Sequence, residues 1–348
     1  MFRVTAVSML LLMSLAIDGA SQPARIDLSR LGPQIGQRVP EFRLVDQYGA
    51  EQTLDSIMGP KGAMLVFSRS IDWCPYCKTQ VLELQSRAGE LKKQGLGLAV
   101  ITYDSPALHA EFGRRRGVTL PLLSDAGSAT IRAFGILNTT VDAQSQNYGI
   151  PFPGTFMLDP KGVVTARFFE DAYQERNTVA TIMLKLGSSG LERAATRVST
   201  DHLNLTTYAS DDVVAPGTLF SLVFDVEPRA RMHVYAPGAE SYKIIGLELD
   251  PNPLLTVRSM SFPTSEIYFF KPLNERVPVY QKPFRLIQEL ALSASRDDRA
   301  AIGKLDTLTI TGRLNYQACD DKVCFIPASV PVSFTVNVRQ LDTERAPR

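Results

Sequence analysis

The stretch that decides the fold of the first half of the chain is MLVFSRSIDWCPYCKTQVLELQ, residues 64–85. It opens with an apolar run typical of a buried strand, passes through a short loop, and continues with apolar residues at helical spacing. Cys74 and Cys77 stand where the predicted helix begins. A cysteine there faces unpaired backbone N–H groups and the positive end of the helix dipole, which both favour the thiolate. The pattern therefore indicates a reactive dithiol.

The residues around this pair have definable physical roles. The two-residue spacing puts Cys77 one turn after Cys74, where it can close or release a disulfide. Pro75 suits the first helical turn, because the N–H that it lacks has no helical partner there. Trp73, the only tryptophan, is expected to shield one side of the sulfur and leave it accessible. The alternatives are a structural disulfide and a metal site. A metal site needs more ligands than the three histidines, His109, His202 and His233, are placed to offer, so none is predicted.

The whole chain has the size and composition of an ordinary two-domain globular protein. It has 348 residues, 45% of them hydrophobic and 21% charged. The formal net charge is +1, from 37 basic and 36 acidic residues. No basic face is implied, so nucleic acid is not an expected partner. The run Arg114–Arg116 before Gly117 is typical of a solvated helix end and is interpreted as structural.

The amino terminus has the pattern of an export signal. Arg3 supplies a positive charge, and residues 4–17 form an apolar run that is shorter than the roughly 20 residues of a spanning helix. We predict a signal peptide at residues 1–21 and an exported, periplasmic protein that is soluble after cleavage. An uncleaved amino-terminal anchor is the alternative. In an oxidising compartment, the two closely spaced cysteine pairs can form disulfides that close short loops. Such disulfides contribute little to the stability of the fold.

The texture of the sequence changes near residue 187. Residues 35–187 alternate between strand-like and helix-like runs, which predicts an α/β domain with a mixed sheet and flanking helices. A helix is expected over 105–116, a hairpin over 154–169 and a closing helix over 174–186. We interpret residues 188–200 as a linker. Residues 201–340 read as short strands separated by turn residues, which predicts an all-β antiparallel sandwich.

The first domain resembles the thioredoxin-like fold, in the redoxin (AhpC/TSA-type) branch that includes peroxiredoxins and periplasmic thioredoxin-like reductants. The motif WCPYCK and the segment IPFPGTFMLD, residues 150–159, carry the resemblance. It implies that Cys74 is the exposed nucleophile and Cys77 the shielded resolving thiol. It also implies a cis-proline at Pro153, packed against the dithiol. The substrate-positioning residues are then Trp73, Pro75, Tyr76, Pro153 and Thr155.

The motif favours disulfide exchange over peroxidase chemistry. Related peroxiredoxins place Thr or Ser three residues before the attacked cysteine, with a proline further back. Here that position is Ile71, Ser70 is one place off, and no proline lies in VFSRSID. Thioredoxin carries a buried acid on the preceding strand, where this chain has Ser68. Asp72, in the loop, is the candidate substitute.

A second cysteine pair lies in LNYQACDDKVCFIPASVPVSF, residues 314–334. A short hairpin can bring Cys319 and Cys324 within disulfide reach, and the acids between them disfavour a thiolate. This passage resembles the amino-terminal periplasmic domain of the thiol:disulfide interchange protein DsbD, an immunoglobulin-like sandwich with a redox-active pair. The resemblance implies an aromatic cap over the pair, and the candidates in SEIYFFKPLNE are Tyr268, Phe269 and Phe270. A purely structural disulfide is the alternative.

Together these patterns predict an exported thiol:disulfide oxidoreductase with catalytic residues Cys74, Cys77, Cys319 and Cys324. The two pairs are expected to relay electrons, because one chain raises their effective concentration for each other. The redox-active disulfides are the only cofactors expected. Protein thiols and disulfides are the expected partners, with a membrane electron donor as a further one. The rival hypotheses are a peroxidase that uses Cys74 and a redox domain whose sandwich only docks a partner.

Overall fold

The computed structural model describes residues 26–187, 194–270 and 274–347. The predicted signal peptide and the first part of the predicted linker lie outside these residues. A short 3-10 helix, Leu28–Arg30, opens the described chain. Beyond it lie an α/β half, a strand-rich half, and a carboxyl-terminal segment that returns to the first half.

The first half is built on a seven-stranded mixed sheet, as the alternating pattern predicted. Its strand order is β2-β1-β5-β4-β3-β6-β7. The strands and helices in chain order are β1 (Arg43–Val45), β2 (Glu51–Thr53), α1 (Leu54–Ile57), β3 (Gly62–Phe67), α2 (Pro75–Lys93), β4 (Leu96–Thr102), α3 (Pro106–Arg116), β5 (Leu122–Ser124), α4 (Ala129–Ala133), β6 (Gly154–Leu158) and β7 (Val164–Phe169).

The central strand β3 explains why the sheet is covered on both faces. All six of its residues are buried. Successive side chains of a strand point to opposite faces, so Leu65 and Phe67 enter one apolar core while Met64 and Val66 enter the other. The second of these cores also holds residues of α2, which packs on that face. The strand thus fixes the position of the loop that leads to Cys74.

Two further predictions from the sequence are confirmed, and a third is confirmed only in part. Helix α3 begins after Ser105, whose hydroxyl accepts the N–H of Leu108, and ends at Gly117 with φ of 66°. The predicted hairpin is formed by β6 and β7, and its turn is closed by a bond from the N–H of Asp159 to the carbonyl of Val163. The predicted closing helix is shorter than expected: α5 spans only Val179–Lys185. The preceding residues instead form the short strand β8 (Arg176–Asn177).

The second half contains three further sheets in the described part of the chain. Their elements are β9 (Thr196–Ser199), β10 (Leu203–Ala209), β11 (Val213–Val214), β12 (Thr218–Pro228), β13 (His233–Tyr235), β14 (Gly246–Leu249), β15 (Leu255–Ser261), β16 (Glu266–Phe270), β17 (Glu275–Tyr280), β18 (Phe284–Leu292), α6 (Arg299–Ile302), β19 (Thr307–Tyr316), β20 (Ala318–Cys319) and β21 (Ala328–Val338). The sheet orders are β15-β18-β12-β10-β9, β11-β21-β19-β14 and β16-β17-β13-β20.

The first two of these sheets share one apolar core. Residues of β10, β12 and β18 pack there against residues of β19 and β21. Along β19 and β21, buried and exposed residues alternate, as expected for sheets with one face on a core. An immunoglobulin-like topology remains a prediction. The predicted linker is wrong in its second part, because Thr196–Ser199 is a strand that pairs with β10.

The two halves are joined by backbone pairing as well as by side chains. Strand β8 pairs in parallel with the start of β12, with Arg176 opposite Thr218. The N–H of Arg176 donates to the carbonyl of Gly217 at 2.8 Å. This pairing uses the residues that were predicted to begin a helix, so long-range pairing overrides the local helical pattern.

Candidate functional site

The start of α2 holds the first cysteine pair in the arrangement that the sequence predicted. Cys74 is the N-cap residue, and its sulfur accepts the N–H of Cys77 at 3.3 Å. Pro75 occupies the first turn of the helix. Cys74 and Cys77 form a disulfide with their Cα atoms 5.3 Å apart. The N–H groups at this helix end can stabilise negative charge on sulfur when the disulfide is open.

The first pair is not exposed, which corrects the expectation for Cys74. Its exposed fraction is 1%, and Cys77 is fully buried. Tyr76, with the partly buried Trp73, Ala294 and Leu341, packs around the two cysteines. The covering residues Ala294 and Leu341 belong to the second half and to the carboxyl-terminal segment. The expectation of an exposed Cys74 came from a resemblance that covers the first domain alone. In the whole chain, residues outside that domain cover the site.

One arginine contacts the buried pair, and a second lies over the neighbouring aromatic rings. The Nη2 atom of Arg176 lies 3.9 Å from the sulfur of Cys77. Burial, and then the charge of Arg69, lower the pKa of Arg176 to about 9, so the guanidinium remains protonated at neutral pH. Arg69 itself lies over the rings of Trp73 and Tyr173, at 4.8 and 4.3 Å. Such surroundings favour a thiolate.

Ser68, at the position of the acid in thioredoxin, and Asp72, its candidate substitute, make different contacts. Ser68 is fully buried, and its hydroxyl has no hydrogen-bond partner among the described residues. Asp72 accepts bonds from Arg345 at 2.6 and 3.0 Å and from the N–H of Ala346 at 2.9 Å. Burial raises the pKa of Asp72, but these bonds outweigh it and hold the pKa below its usual value. Asp72 is therefore bound to the end of the chain.

A buried acid that the sequence reasoning missed is Asp104. Its carboxylate accepts the hydroxyl of Ser70 at 2.8 Å and the N–H of Ile71 at 2.7 Å, so it holds the loop before the cysteines. Burial raises the pKa of Asp104 to about 6. It follows β4, which is parallel to β3, and the carboxyl ends of parallel neighbours meet at one edge. The position of Asp104 at the end of a predicted strand is a sequence signal from which its place near Cys74 could be predicted.

Asp104 is linked to a buried histidine. The hydroxyl of Thr102 lies 2.9 Å from Asp104 and 2.8 Å from Nε2 of His109. The Nδ1 atom of His109 lies 3.0 Å from the carbonyl of Leu122. Burial lowers the pKa of His109 to about 4, which favours the neutral ring. In that form Nδ1–H donates to the carbonyl, and Nε2 competes with the Asp104 carboxylate for the single proton of the Thr102 hydroxyl.

The prediction of a cis-proline at Pro153 is wrong. No peptide bond within the described ranges is cis. Phe152 donates to the carbonyl of Ile136 at 2.8 Å, and the chain enters β6 extended, which is compatible with the usual trans preference of a bond before proline. Gly154 pairs with Phe67, the last residue of β3, so Pro153 lies beside the point where the chain departs toward Cys74. Thr155 is buried within β6.

Two other predicted positioning residues make contacts that fix the site. The hydroxyl of Tyr76 donates to the carbonyl of Ala294 at 3.0 Å and accepts from Arg299 at 3.2 Å. Trp73 donates through Nε1 to the hydroxyl of Tyr103 at 2.9 Å. Tyr76 thus joins the site to the second half of the chain in this conformation.

The second pair, Cys319 and Cys324, also forms a disulfide, as the hairpin predicted. The hydroxyl of Tyr235 lies 2.9 Å from the sulfur of Cys319 and 3.4 Å from that of Cys324. The ring of Tyr242 stacks on Tyr235 at 3.9 Å, and its own hydroxyl donates to Glu275. Burial and the neighbouring Tyr242 raise the pKa of Tyr235, so its hydroxyl keeps its proton.

The three candidate cap residues lie on one strand, β16. Tyr268 packs against the apolar cluster around Cys319, lies 4.5 Å from the ring of His233, and donates to Asp321 at 3.2 Å. Phe270 is buried, and Phe269 is partly exposed under the guanidinium of Arg276. Of the three, Tyr268 has the contacts expected of a cap.

The two cysteine pairs lie toward opposite ends of strand β19 of the second half. Leu341, at the first pair, follows closely on Asn337, which pairs with Thr307 at the start of β19. Cys319 follows Tyr316 at the end of that strand. Because β19 has ten residues at a rise of about 3.4 Å each, roughly 30 Å separate the two pairs. The pairs are not in contact in this conformation.

This site defines a thioredoxin-like redox domain: a mixed sheet, a helix-capping dithiol and a flanking cationic shell. Residues 35–167 match the family model described as the AhpC/TSA family. This part of the chain is therefore a redoxin domain of that family, as the resemblance predicted.

Known relatives include both thiol:disulfide oxidoreductases and peroxidases. Thiol-disulfide oxidoreductase ResA of Geobacillus thermodenitrificans is 27% identical over 163 residues, which cover 47% of this chain and 84% of that protein. Alkyl hydroperoxide reductase E of Mycobacterium bovis is 29% identical over 138 residues, which cover 39% of this chain and 84% of that protein. Among solved structures, the match to thiol peroxidase from Chromobacterium violaceum covers 45% of this chain and 89% of that protein, with 25% identity and a TM-score of 0.38.

Proposed function

We propose that the chain is a thiol:disulfide oxidoreductase whose working group is the Cys74–Cys77 pair. In the reducing direction, the Cys74 thiolate attacks a partner's disulfide, so that a Cys74–partner disulfide forms and one partner thiolate leaves. The Cys77 thiolate then attacks the sulfur of Cys74, closes the Cys74–Cys77 disulfide and releases the second partner thiolate. Two electrons pass to the partner, and the reverse sequence oxidises a dithiol. This chemistry needs no group beyond the cysteines.

One observation carries the proposal. The sulfur of Cys74 caps α2, accepts the N–H of Cys77 at 3.3 Å, and is disulfide-bonded to the residue one turn on. The helix end can stabilise the attacking thiolate, and the disulfide between the two sulfurs supports Cys77 as the resolving residue. The cation of Arg176 beside Cys77 supports the same chemistry.

The alternative of a peroxidase has less support from the loop before Cys74. The hydroxyl of Ser70 donates to Asp104 and accepts the N–H groups of Asp72 and Trp73. It is committed to holding the loop and is not free to polarise a peroxide. Ile71, three residues before Cys74, has no polar side chain to do so. Because relatives of both kinds exist, the two activities are best measured side by side.

The test uses reduced protein with Cys319 and Cys324 replaced by serine, so that one pair remains. It is mixed with 2-hydroxyethyl disulfide or with hydrogen peroxide, and the products are identified by mass. We expect exchange with the disulfide, no reaction after Cys74→Ser, and a trapped mixed disulfide at Cys74 after Cys77→Ser. Exchange that survives Cys74→Ser would refute the proposal. Peroxide that outcompetes the disulfide by orders of magnitude, with a sulfenate at Cys74, would favour the peroxidase.

A relay between the two pairs is the second candidate, supported by the hydroxyl of Tyr235 against the sulfurs of the second pair. Since roughly 30 Å separate the pairs, direct exchange requires the two halves to part or two chains to meet. The protein with Cys77→Ser and Cys324→Ser keeps one thiol of each pair, and mild oxidation should then form a Cys74–Cys319 disulfide. Its absence at every protein concentration would reject the relay and favour a docking role for the second half.

Export and a membrane electron donor also remain proposals. Export is supported by the positive charge at Arg3 and the apolar run 4–17. Within the described ranges, no helix is both long enough and apolar enough to cross a membrane. Amino-terminal sequencing of protein from a periplasmic extract tests the export: a start near residue 22 is expected, and an intact Met1 would contradict cleavage.

A further inference from the structure

The carboxyl-terminal segment Leu341–Ala346, here called the tail, lies over the first cysteine pair. It follows β21, which ends at Val338 in the second half, and it reaches the start of α2 in the first. Leu341 packs against the cluster of Cys74, Tyr76 and Cys77. The tail therefore occupies the space through which a partner disulfide must approach Cys74.

Acidic side chains of the tail meet three cations of the first half: Lys78, Arg115 and Arg116, here called the cationic patch. Asp342 lies 2.8 Å from Nε of Arg116 and 3.6 Å from Nζ of Lys78. Glu344 lies 2.6 Å from Arg116 and 2.9 Å from Arg115. The arginine run is thus not the solvated helix end that its sequence indicated, because two of its three members bind the tail.

Lys78 shows how closely the tail fits. Its side chain is fully buried, and its ammonium group donates to the carbonyls of Asp72 and Glu344 at 3.1 and 2.5 Å. A buried ammonium group is costly unless such partners replace water. Burial lowers the pKa of Lys78, and the charge of Asp342 opposes that effect. The tail supplies both the carboxylate and a main-chain acceptor.

The far end of the tail binds the loop that precedes the dithiol. Arg345 donates to Asp72 at 2.6 and 3.0 Å, and the N–H of Ala346 donates to the same carboxylate at 2.9 Å. Asp72 stands two residues before Cys74. The tail is thus held by side chains and by main-chain groups along its length, in the way that an extended peptide is held in a recognition groove.

We propose that the cationic patch is the docking site for the protein disulfide with which Cys74 exchanges, and that the tail occupies this site in place of the partner. The proposal rests on the proposed function. The fitting partner presents its reactive cysteine where Leu341 lies, with acidic residues at the first and third positions after it, as Asp342 and Glu344 are. Complementary charge of this kind gives specificity and speeds association. The tail has to leave before exchange.

The chain offers a matched control on the same helix. Arg114 adjoins the patch in sequence, but its side chain is 75% exposed and pairs with Glu111 of its own helix. Replacing Arg114 or Arg116 by alanine removes the same charge from the same run. Only the second replacement removes a contact to the tail.

The test measures exchange rates of reduced protein with three disulfides. Two are peptides, Gln-Cys-Asp-Thr-Glu-Arg and Gln-Cys-Lys-Thr-Lys-Arg, each with its cysteine disulfide-linked to 2-mercaptoethanol; the third is uncharged 2-hydroxyethyl disulfide. The proteins are wild type, a chain ending after Gln340, and the full-length double variant Asp342→Asn/Glu344→Gln, which keeps the chain complete. Each carries serine at Cys319 and Cys324.

We expect both variants to react about tenfold faster than wild type with 2-hydroxyethyl disulfide. In the shortened chain, the acidic peptide should react about tenfold faster than the lysine peptide. This preference should disappear with Arg116→Ala, survive with Arg114→Ala, and fade at about 1 M salt.

Three results would overturn the proposal. Equal rates for the two peptides in both variants would refute the docking site, while exchange with 2-hydroxyethyl disulfide would leave the proposed function standing. Unchanged rates between wild type and both variants would refute the covering role of the tail. Failure of every protein to react with any disulfide would refute the proposed function and the docking site with it.

Discussion

The guanidinium of Arg176 lies 3.9 Å from the sulfur of Cys77, and the backbone of the same residue pairs with β12 of the second half. One residue therefore connects the dithiol to the contact between the two halves. Burial lowers the pKa of Arg176 to about 9, which leaves it charged at neutral pH. Its charge can stabilise a Cys77 thiolate but not a disulfide.

Arg176→Met should therefore make the first pair harder to reduce. The cation stabilises the reduced form, so its loss should lower the reduction potential by about 30 mV, a tenfold change in the exchange constant. The measurement is equilibration with dithiothreitol or glutathione buffers, followed by alkylation and mass determination. Arg176→Lys keeps the charge and is the control. An unchanged or higher potential in the methionine variant, with the fold intact by circular dichroism, would contradict this role.

The titration of Asp104 predicts a pH dependence of stability. Burial raises its pKa from 3.8 to about 6, so the folded state binds more protons than the unfolded state between these values. The contribution is greatest below pH 4 and is lost as the pH rises through 6, by roughly 3 kcal/mol. The variant Asp104→Asn should not lose stability in this way as the pH rises, because its side chain does not titrate. The amide oxygen of the asparagine can still accept the N–H of Ile71.

The measurement for Asp104 is denaturant unfolding of wild type and Asp104→Asn at pH values from 4 to 7. The quantity of interest is the difference between the two proteins, because the lowered pKa of His109 acts in the opposite direction in both. Asp55→Asn, on the surface at the start of α1, is the control. A difference that does not change with pH would show that Asp104 does not titrate in this range.

Local sequence was sufficient for the parts of the fold that local interactions determine. The strand, loop and capped helix around Cys74 follow from apolar periodicity, and the turn at Asp159 follows from its turn residues. The prediction failed where distant segments meet. The strand at Arg176 was read as helix, because only the partner strand β12 shows that it pairs.

The same reason limits what the sequence showed about the site. Cys74 and Cys77 are identified from their spacing and their place at a predicted helix start, but their burial under Leu341 is not predicted, because the tail is a short polar segment without periodicity. The run that contains Arg116 was interpreted as solvated, since its partners Asp342 and Glu344 lie more than 200 residues away. Charge complementarity between distant segments has no local signature.

Contact between the two halves should depend on pH through Glu83. This residue of α2 accepts the N–H of Val179 at 3.2 Å. Burial, followed by the charge of Asp211 in the second half, raises the pKa of Glu83 to about 8. The folded state therefore holds a proton that the unfolded state loses above about pH 4.5, and stability is lost as the pH rises from there through 8.

Hydrogen exchange of amides 211–219 at pH 6 and pH 8.5, corrected for the intrinsic rates, measures this effect. Opening of the contact should increase at the higher pH in wild type and stay nearly constant in Glu83→Gln. Glu90→Gln, on the same helix and paired with Arg87, is the control. Equal pH dependence in all three proteins would show that Glu83 does not control the contact.

The hydroxyl of Tyr235 should tune the second cysteine pair. It lies 2.9 Å from the sulfur of Cys319. Because the pKa of Tyr235 is raised, the hydroxyl keeps its proton and can donate it in a hydrogen bond to a thiolate. Removing a hydrogen bond to a charged group costs about 1.5 kcal/mol, which corresponds to a reduction potential lower by roughly 30 mV. The expected result of Tyr235→Phe is therefore a pair that is harder to reduce.

The measurement is made with Cys74 and Cys77 replaced by serine, in dithiothreitol buffers of graded potential. Tyr280→Phe is the matched control, because its buried hydroxyl donates to the carbonyl of Pro263 and not to a sulfur. A potential that falls in Tyr235→Phe alone would assign the hydroxyl to the redox behaviour of this pair. If Cys319 and Cys324 stay oxidised in every protein at the lowest potential, the disulfide is structural, and the second half is a docking unit for the dithiol at Cys74.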